Sequence, residues 1–231
     1  MTGWSDVITA AMQVIDDERW RDELRINAAQ FYRAKSQTVI FALPLMSKPP
    51  ELLAYLQTDM MSAGYDDFVY ISEQEAEAGS SVTVETGKQN YDICNVSMRS
   101  TDGMASIPVP CNYDTESGNV TLTLAASGVR EYSIDFYKDG EFQTMTPTQM
   151  RLFALAVAVT WDDRFQRDWM ANTMKIHDGS FETVNESNYM DKSNARFLSN
   201  KQAFEDELRD YEQKCAYATV VSGAGGRTKL I

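Results

Sequence analysis

The sequence predicts an α+β fold in which an N-terminal and a C-terminal helical segment form one bundle, with an antiparallel β module inserted between them. Apolar residues recur at helical spacing in residues 1–64 and 146–221, whereas strand-like alternation is confined to residues 65–145. The charged residues are distributed unevenly along the chain, with the same boundaries. Residues 65–145 carry 14 acidic and 4 basic side chains. Residues 1–64 carry a net charge of −2 and residues 146–231 a net charge of −1, so the middle segment is a distinct acidic unit.

The N-terminal segment is predicted to be helical throughout. Its first helix has one apolar stripe, formed by Trp4, Val7, Ile8, Ala11 and Ile15. A second helical stretch has an apolar stripe formed by Trp20, Leu24, Ala28 and Phe31. Pro44 ends this stretch, since its ring clashes with the preceding turn. A further helix is predicted between Ser47 and Gly64, with the apolar face Leu52, Leu53, Leu56 and Met60.

The middle segment is predicted to contain five or six short strands. Residues 119–124 and 132–136 alternate apolar and polar side chains, which is typical of half-buried strands. Residues 68–71 and 81–86 are rich in β-branched and aromatic side chains. Asp139 and Gly140 mark a turn. These strands predict a small antiparallel sheet or sandwich with one face in water.

The C-terminal segment begins with a capping box, in which Thr146 caps the helix, Pro147 occupies its first position and Gln149 completes the motif. Residues 150–161 are apolar on almost every side, which predicts a central core helix. Its core side chains are Phe153, Leu155, Val157 and Trp161. A final helix is predicted from about Asn200 and is expected to pack antiparallel on the core helix. Its seam is Phe204, Leu208, Tyr211, Cys215 and Ala218.

Residues 222–231 combine a glycine-rich stretch with basic and then apolar residues. Disorder is one interpretation of such a segment. The other is a flexible docking tail, in which glycines give reach and the last residues bind a partner. Its candidate docking residues are Arg227, Lys229, Leu230 and Ile231.

The composition excludes several classes of function. The net charge of −13 argues against a protein that acts primarily by binding nucleic acid, because phosphate contacts need basic side chains. No run of about 18 apolar residues predicts a transmembrane helix. The first residues lack the basic and apolar regions of a secretory signal, so none is expected.

Side chains for metal binding or catalysis are sparse. Cys94, Cys111 and Cys215 lack the spacing of a zinc site, and free thiols are favoured over a Cys94–Cys111 bond, which stays open. His177 is interpreted as a residue at a helix end. Residues 114–118 resemble the start of a calcium loop but lack its distal Glu, so a plain turn is expected.

Adjacent carboxylates at positions 16–17, 66–67 and 162–163 are interpreted as solvated faces. No metal, no cofactor and no enzymatic activity are therefore predicted, although an enzyme with an unrecognised site stays a third possibility.

Residues 134–221 resemble the C-terminal half of head-to-tail connector (neck adaptor) proteins of tailed bacteriophages. The resemblance starts with Phe136 at a strand end and the acidic loop of residues 139–142. It continues through the helix start at Thr146 and the apolar helix ending at Trp161. A polar link at residues 185–189 and a charged final helix complete it. The strand-rich segment departs from the mainly helical N-terminal half of such adaptors, which leaves the position of the β module in doubt.

The resemblance implies a virion structural protein in the neck, assembled in the host cytoplasm. It implies a homo-oligomeric ring, commonly a dodecamer, that docks under the portal protein, meets tail or nozzle proteins and extends the DNA channel. The acidic middle segment would then suit a channel wall that double-stranded DNA passes without specific binding, because like charges repel phosphate. No membrane partner is expected.

The alternative function is a tail, baseplate or surface module that binds a glycan or a protein through its β-rich segment. That segment contains several tyrosines, which suit recognition surfaces when they are exposed. They are Tyr65, Tyr70, Tyr91, Tyr113, Tyr132 and Tyr137. Half-buried cross-strand pairs are the more ordinary role of such residues.

Overall fold

The computed structural model of the chain describes residues 1–15, 18–46, 69–72, 78–99, 106–124, 131–176 and 184–226. Within these ranges, the helices before the two larger sheets are α1 (Trp4–Ile15), α2 (Glu18–Ile26) and α3 (Ala28–Ala42), the last continuing into a 3₁₀ turn, Leu43–Met46. Two long helices follow them, α4 (Pro147–Ile176) and α5 (Val184–Gly226). The predicted α+β class is confirmed. The helix predicted between Ser47 and Gly64 lies outside the described residues.

The strands form three antiparallel sheets. Strands β1 (Thr2–Gly3) and β9 (Glu141–Phe142) form a short ribbon. A four-stranded sheet has the order β2 (Val69–Ser72), β8 (Glu131–Tyr137), β4 (Ile93–Arg99), β5 (Ser106–Val109). A three-stranded sheet has the order β3 (Ser81–Glu85), β7 (Asn119–Thr123), β6 (Cys111–Tyr113). Because only Pro110 separates β5 from β6, one stretch of chain joins the two larger sheets.

The helical core forms around α1 and α4, as the sequence predicts. The α1 stripe is fully buried, and it comprises Trp4, Val7, Ile8, Ala11 and Ile15. On α4, Phe153, Leu155 and Val157 are buried and Trp161 is half-buried against the same core. The capping box is present, since the Thr146 amide donates to Gln149 Oε1 at 2.8 Å and the Gln149 amide donates to Thr146 Oγ1 at 3.3 Å.

The predicted second helical stretch is two helices, α2 and α3, with a break at Asn27. Asn27 has an extended backbone, and its side-chain oxygen accepts a hydrogen bond from the Gln30 amide at 3.0 Å. This is the geometry of a helix N-cap, for which Asn is a preferred residue. Trp20 and Phe31 are both buried despite the break. The sequence analysis missed the break because the apolar stripe continues across it.

The link between the β module and α4 belongs to the helical core rather than to the module. Phe142 stacks on Trp4 with ring centroids 5.4 Å apart, and it is packed edge to face against Phe153. The Trp4 amide donates to the Gly140 carbonyl at 2.9 Å. A Cβ on Gly140 would lie 2.8 Å from Trp4 Nε1, so a glycine is required at this close approach. Phe142 therefore packs in the helical core although it lies on the module's side of the boundary predicted at residue 145.

A second core lies between the two larger sheets. It is formed by Val96, Met98, Val109, Val120, Leu122, Leu124, Tyr132, Ile134 and Phe136. The predicted alternation in residues 119–124 and 132–136 is confirmed on this inner face. The expectation of a wet outer face is wrong for β8, where Asp135 and Tyr137 are buried as well. Strand β8 has no wet face over this stretch because helix α3 packs against its other side.

Hydrogen bonds join α3 to the four-stranded sheet. Asn27 Nδ2 donates to Asp135 Oδ2 at 2.7 Å, and Gln30 Nε2 donates to the same oxygen at 3.1 Å. The Ala29 amide donates to Asn95 Oδ1 at 3.0 Å. A buried carboxylate is costly unless it accepts hydrogen bonds, so these donors fix the sheet against the first turn of α3.

A second polar network joins α1, α3 and the end of β8 around Asp139. Its carboxylate accepts hydrogen bonds from the Ser5 amide at 3.1 Å, from Ser5 Oγ at 2.5 Å and from the Tyr137 hydroxyl at 3.0 Å. The Tyr137 hydroxyl also lies 3.0 Å from Ser36 Oγ. Burial raises the pKa of Asp139, although the hydrogen bonds from Ser5 and Tyr137 oppose this effect.

Helix α5 packs antiparallel on α4 through a buried ion pair, which confirms the predicted packing. Asp162 is 0% exposed, and its Oδ1 accepts hydrogen bonds from Arg196 Nε at 3.1 Å and Nη2 at 2.5 Å. Asn200 Nδ2 donates to the other oxygen, and Arg196 also donates to the Ile15 carbonyl. The interpretation of residue 162 as part of a solvated face is therefore wrong. The pairs at 16–17 and 66–67 lie outside the described residues.

A buried lysine joins α2, α3 and α4. Lys35 is 5% exposed, and its ammonium lies 2.7 Å from Glu23 Oε2. It also lies 4.7 Å from the centroid of the Trp20 ring and 4.5 Å from that of Trp161. The carboxylate and the two indole faces compensate the loss of water around the cation.

Helix α5 differs from the predicted final helix at both ends. It begins at Val184, so the predicted polar link at residues 185–189 is helical, and so is the stretch before Asn200. The part of α5 before Asn200 has weak helix propensity. Arg196 and Asn200 nevertheless bind Asp162 of α4, and tertiary contacts of this kind can override weak propensity. The helix continues to Gly226, so residues 222–226, predicted to be flexible, are helical in the structure.

We expect Arg196→Met to destabilise the protein by about 3–5 kcal/mol, because it leaves the buried Asp162 carboxylate without its cation. Urea unfolding followed by circular dichroism measures this loss. The matched control is Arg209→Met, which removes an exposed arginine 3.5 Å from Asp206 on the same helix. This control should change stability by about 0.5 kcal/mol or less. Equal losses for the two variants would contradict the role assigned to the buried pair.

The raised pKa of Asp139 predicts a pH dependence of stability with a defined sign. The folded protein binds this proton more tightly than the unfolded chain, so Asp139 favours folding increasingly as the pH falls through its raised pKa. The free energy of unfolding of the wild type relative to Asp139→Asn should therefore rise between about pH 7 and about pH 4. Urea unfolding at several pH values measures this difference.

Asp114→Asn is the control of opposite sign. Hydrogen bonds from Ser117 and the Glu116 amide lower the pKa of Asp114, so the wild type should lose stability relative to Asp114→Asn as the pH falls. The free energy of unfolding of the wild type is thus compared with that of each variant as the pH falls. If both differences changed in the same direction, the conclusion that burial disfavours the ionised form of Asp139 would be wrong.

Candidate functional site

The end of helix α5 extends beyond the helix on which it packs. Tyr211 accepts a hydrogen bond from Gln149 at 3.0 Å, and Glu207 pairs with Arg151 at 2.5 Å, so the first turn of α4 lies level with residues 207–211. Lys214 also lies beside this first turn, since it lines a cleft with Pro147, Thr148 and Arg151. Residues 215–226 continue the helix past that point. At 1.5 Å per residue this end of α5 is about 20 Å long.

The predicted seam of α5 contacts the bundle over part of its length. Phe204 is buried in the helical core, and Leu208 and Tyr211 are half-buried against it. Further along, Cys215 is half-buried and Ala218 is exposed. Tyr217 is 73% exposed, which is high for a large aromatic side chain. Between positions 215 and 226 the helix has no charged residue. The result is an uncharged helical end whose described side chains are mostly exposed.

The four candidate docking residues follow directly after this helical end. Arg227, Lys229, Leu230 and Ile231 lie outside the described residues, so their contacts are not assigned. What the structure adds is the element that precedes them, a helix rather than the flexible glycine linker that the sequence predicts.

An apolar groove of about 670 Å³ lies between the end of α3, α4 and α5. Its apolar lining includes Phe41, Leu45, Val159 and Phe197, and Phe41 is 58% exposed. Charged side chains also line it, namely Asp163, Arg164 and Lys201. Sequence patterns do not predict this groove, because its walls come from three separate helices. The sequence feature that belongs to the groove is Phe41, which lies just before Pro44, where the helical stretch is predicted to end.

Most of the described acidic side chains of the middle segment face water. The exposed ones are Glu85, Asp92, Asp114, Glu116 and Glu141. Asp135 and Asp139 instead serve the junction with the helices. Among the described basic residues of this segment, Arg99 and Lys138 are exposed. Among the described side chains of the module, the negative charge thus lies mainly on the surface.

The tyrosines of the middle segment do not form an exposed patch where their side chains are described. Tyr132 and Tyr137 are buried, and Tyr91 and Tyr113 are half-buried with rings packed on Phe136. The Tyr113 hydroxyl donates to the Lys88 carbonyl at 2.6 Å. The side chains of Tyr65 and Tyr70 are outside the described set.

The residues considered for metal binding have structural roles where they are described. Asp114 accepts hydrogen bonds from the Glu116 amide and from Ser117 within a tight turn, which Gly118 closes with a positive φ of 76°. The predicted plain turn is confirmed. Within the described ranges no group of three potential metal ligands is found. His177 directly follows α4 but lies outside those ranges.

No helix in the described part of the chain is both long and apolar enough to cross a lipid bilayer. Comparison of the chain with protein-family models, with curated proteins and with solved structures finds no match in any of the three.

Proposed function

We propose that this chain is a virion structural protein, the subunit of a head-to-tail adaptor ring in the neck of a tailed bacteriophage. The ring docks under the portal protein, contacts tail or nozzle proteins and extends the DNA channel, and it performs no catalysis. The observation that supports this proposal best is helix α5, which continues from Lys214, beside the first turn of α4, to Gly226, the residue directly before positions 227–231.

The composition of this helical end suits docking. It contains Gly223, Gly225 and Gly226, and each glycine disfavours an isolated helix by about 1 kcal/mol relative to alanine. A helix of such low intrinsic stability gains most stability when a second surface packs against it. The segment that follows then presents Arg227 and Lys229 to an acidic or polar rim, and Leu230 and Ile231 to an apolar pocket.

The surface charge of the β module suits a DNA conduit. A wall that carries exposed carboxylates repels the phosphates of the duplex, whereas a basic wall would bind it and release its counterions. The repeated copies of a ring would multiply this surface around the channel. The subunit would be made and assembled in the host cytoplasm before it enters the virion.

The alternative of a glycan-binding or protein-binding module gains no support from the tyrosines. A recognition surface needs exposed aromatic faces, and the four described tyrosines are buried or half-buried. We therefore give preference to the adaptor.

Deletion of residues 227–231 should abolish attachment to isolated portal rings and leave the subunit folded, because the described helical core reaches no further along the chain than Tyr211. Co-sedimentation measures attachment, and circular dichroism with thermal unfolding measures folding. The matched control is Thr228→Ala, which keeps the charged and apolar docking residues and should attach normally.

Negative-stain imaging of the attached wild type should reveal a closed ring of about twelve subunits. Normal attachment of the truncated protein would overturn the docking role, and attachment of single subunits would overturn the ring.

The ring should not bind double-stranded DNA at about 50 mM salt, where electrostatic binding is strong. A fluorescence anisotropy titration with labelled duplex measures this. Glu85→Lys combined with Glu116→Lys should raise the affinity, since both carboxylates are exposed. Tight binding by the wild type would contradict the proposal that the acidic surface faces the DNA path.

A further inference from the structure

Cys94 and Cys111 lie opposite each other where the chain passes from the four-stranded to the three-stranded sheet. In the β4–β5 ladder Val96 pairs with Val109 and Met98 with Ile107. Counting on in this antiparallel register past Pro110 brings Cys111 level with Cys94. Cys111 itself pairs with Leu122 in the other sheet, but β6 stays in contact with β4. A disulfide requires Cα atoms about 4.4–6.8 Å apart, which neighbouring stretches of chain can provide.

The two side chains also face the same way. Side chains two positions apart on a strand share a face, so Cys94 lies on the face of Val96 and Cys111 on that of Val109. Both thiols pack at the margin of the β core and are half-buried, which leaves them within reach of a small reagent. Cys111 Sγ lies 3.8 Å from the Cys94 carbonyl oxygen, to which it donates while it is protonated.

The surroundings favour ionisation of one thiol. A hydrogen bond from the Cys94 thiol lowers the pKa of Cys111 to about 7, with a contribution from the Val96 amide, although burial opposes it. The same interaction raises the pKa of Cys94, and burial adds to that effect. A thiolate supported by a neighbouring thiol is the nucleophile of thiol–disulfide exchange, and the neighbour is its resolving partner.

We propose that Cys94 and Cys111 form a redox-active dithiol site that reacts with small-molecule disulfides and closes to an intramolecular disulfide. This proposal is independent of the adaptor function. It rests on the strand register, the shared face and the distance between the thiol of Cys111 and the backbone of Cys94.

The reaction with glutathione disulfide has two steps. The Cys111 thiolate attacks one sulfur of the reagent, a mixed disulfide forms at Cys111, and one glutathione thiolate leaves. Cys94 then loses its proton and attacks Cys111 Sγ, which forms the internal bond and releases the second glutathione. The protein loses two electrons and two protons, and the reagent is reduced to two glutathione thiols.

The disulfide would tie the two larger sheets together at their junction. Cys94 belongs to β4 of the four-stranded sheet, and Cys111 belongs to β6 of the three-stranded sheet. Closing the loop between positions 94 and 111 restricts the unfolded chain, which raises stability. The reduced form would persist in a reducing compartment, and the bond would form in an oxidising one.

The test uses the full-length reduced protein with glutathione disulfide as the probe, followed by non-reducing peptide mapping by mass spectrometry. We expect a Cys94–Cys111 linkage, a fall from three titratable thiols to one, and a rise of several degrees in the midpoint of thermal unfolding. The reaction rate should increase with pH as the Cys111 thiol ionises, at a pH below the ordinary pKa of a cysteine.

Three single variants separate the roles. Cys94→Ser should accumulate glutathione on Cys111, Cys111→Ser should form no internal bond, and Cys215→Ser should react like the wild type. A linkage that includes Cys215, or oxidation only after unfolding in urea, would overturn the proposal. So would a stable glutathione adduct on the wild-type protein without internal closure.

Discussion

The contact between Asn27 and Asp135 is the interaction on which the arrangement of helices and sheets depends. One side chain caps α3 through its oxygen and, through its nitrogen, donates to a buried carboxylate on β8 at 2.7 Å. Because that carboxylate has been removed from water, its donors must stay in place. The break between α2 and α3 and the position of β8 are therefore fixed together.

Strand β8 is the element shared by the two halves of the molecule. Tyr132, Ile134 and Phe136 point into the β core, whereas Asp135 and Tyr137 point toward α3. A module attached in this way is held by a packed face as well as by its chain connections. Three of its exposed carboxylates, Glu85, Asp114 and Glu116, belong to the three-stranded sheet and its turn, across the β core from α3.

The helices use buried charges in the same way. Asp162 joins α4 to α5 and, through Arg196, to the end of α1, while Lys35 is enclosed by Glu23 and two indole rings. Ion pairs of this kind contribute little to stability when both partners are exposed. When one partner is buried, they set the relative position of the helices that they join. The Asp162–Arg196 pair fixes α5 against α4 and α1, and α5 continues from there to Gly226.

The sequence by itself determined the elements whose signals are local: the α1 stripe, the capping box at Thr146, the apolar core helix and the alternation in β7 and β8. These depend on side-chain periodicity and on hydrogen bonds between near neighbours. Only the tertiary structure decided that Asp162 is buried, that residues 185–199 are helical, and that an apolar groove forms beside Phe41. Each of these depends on partners far away in the chain, such as Arg196 for Asp162, and periodicity in one segment holds no information about the surface that packs against it.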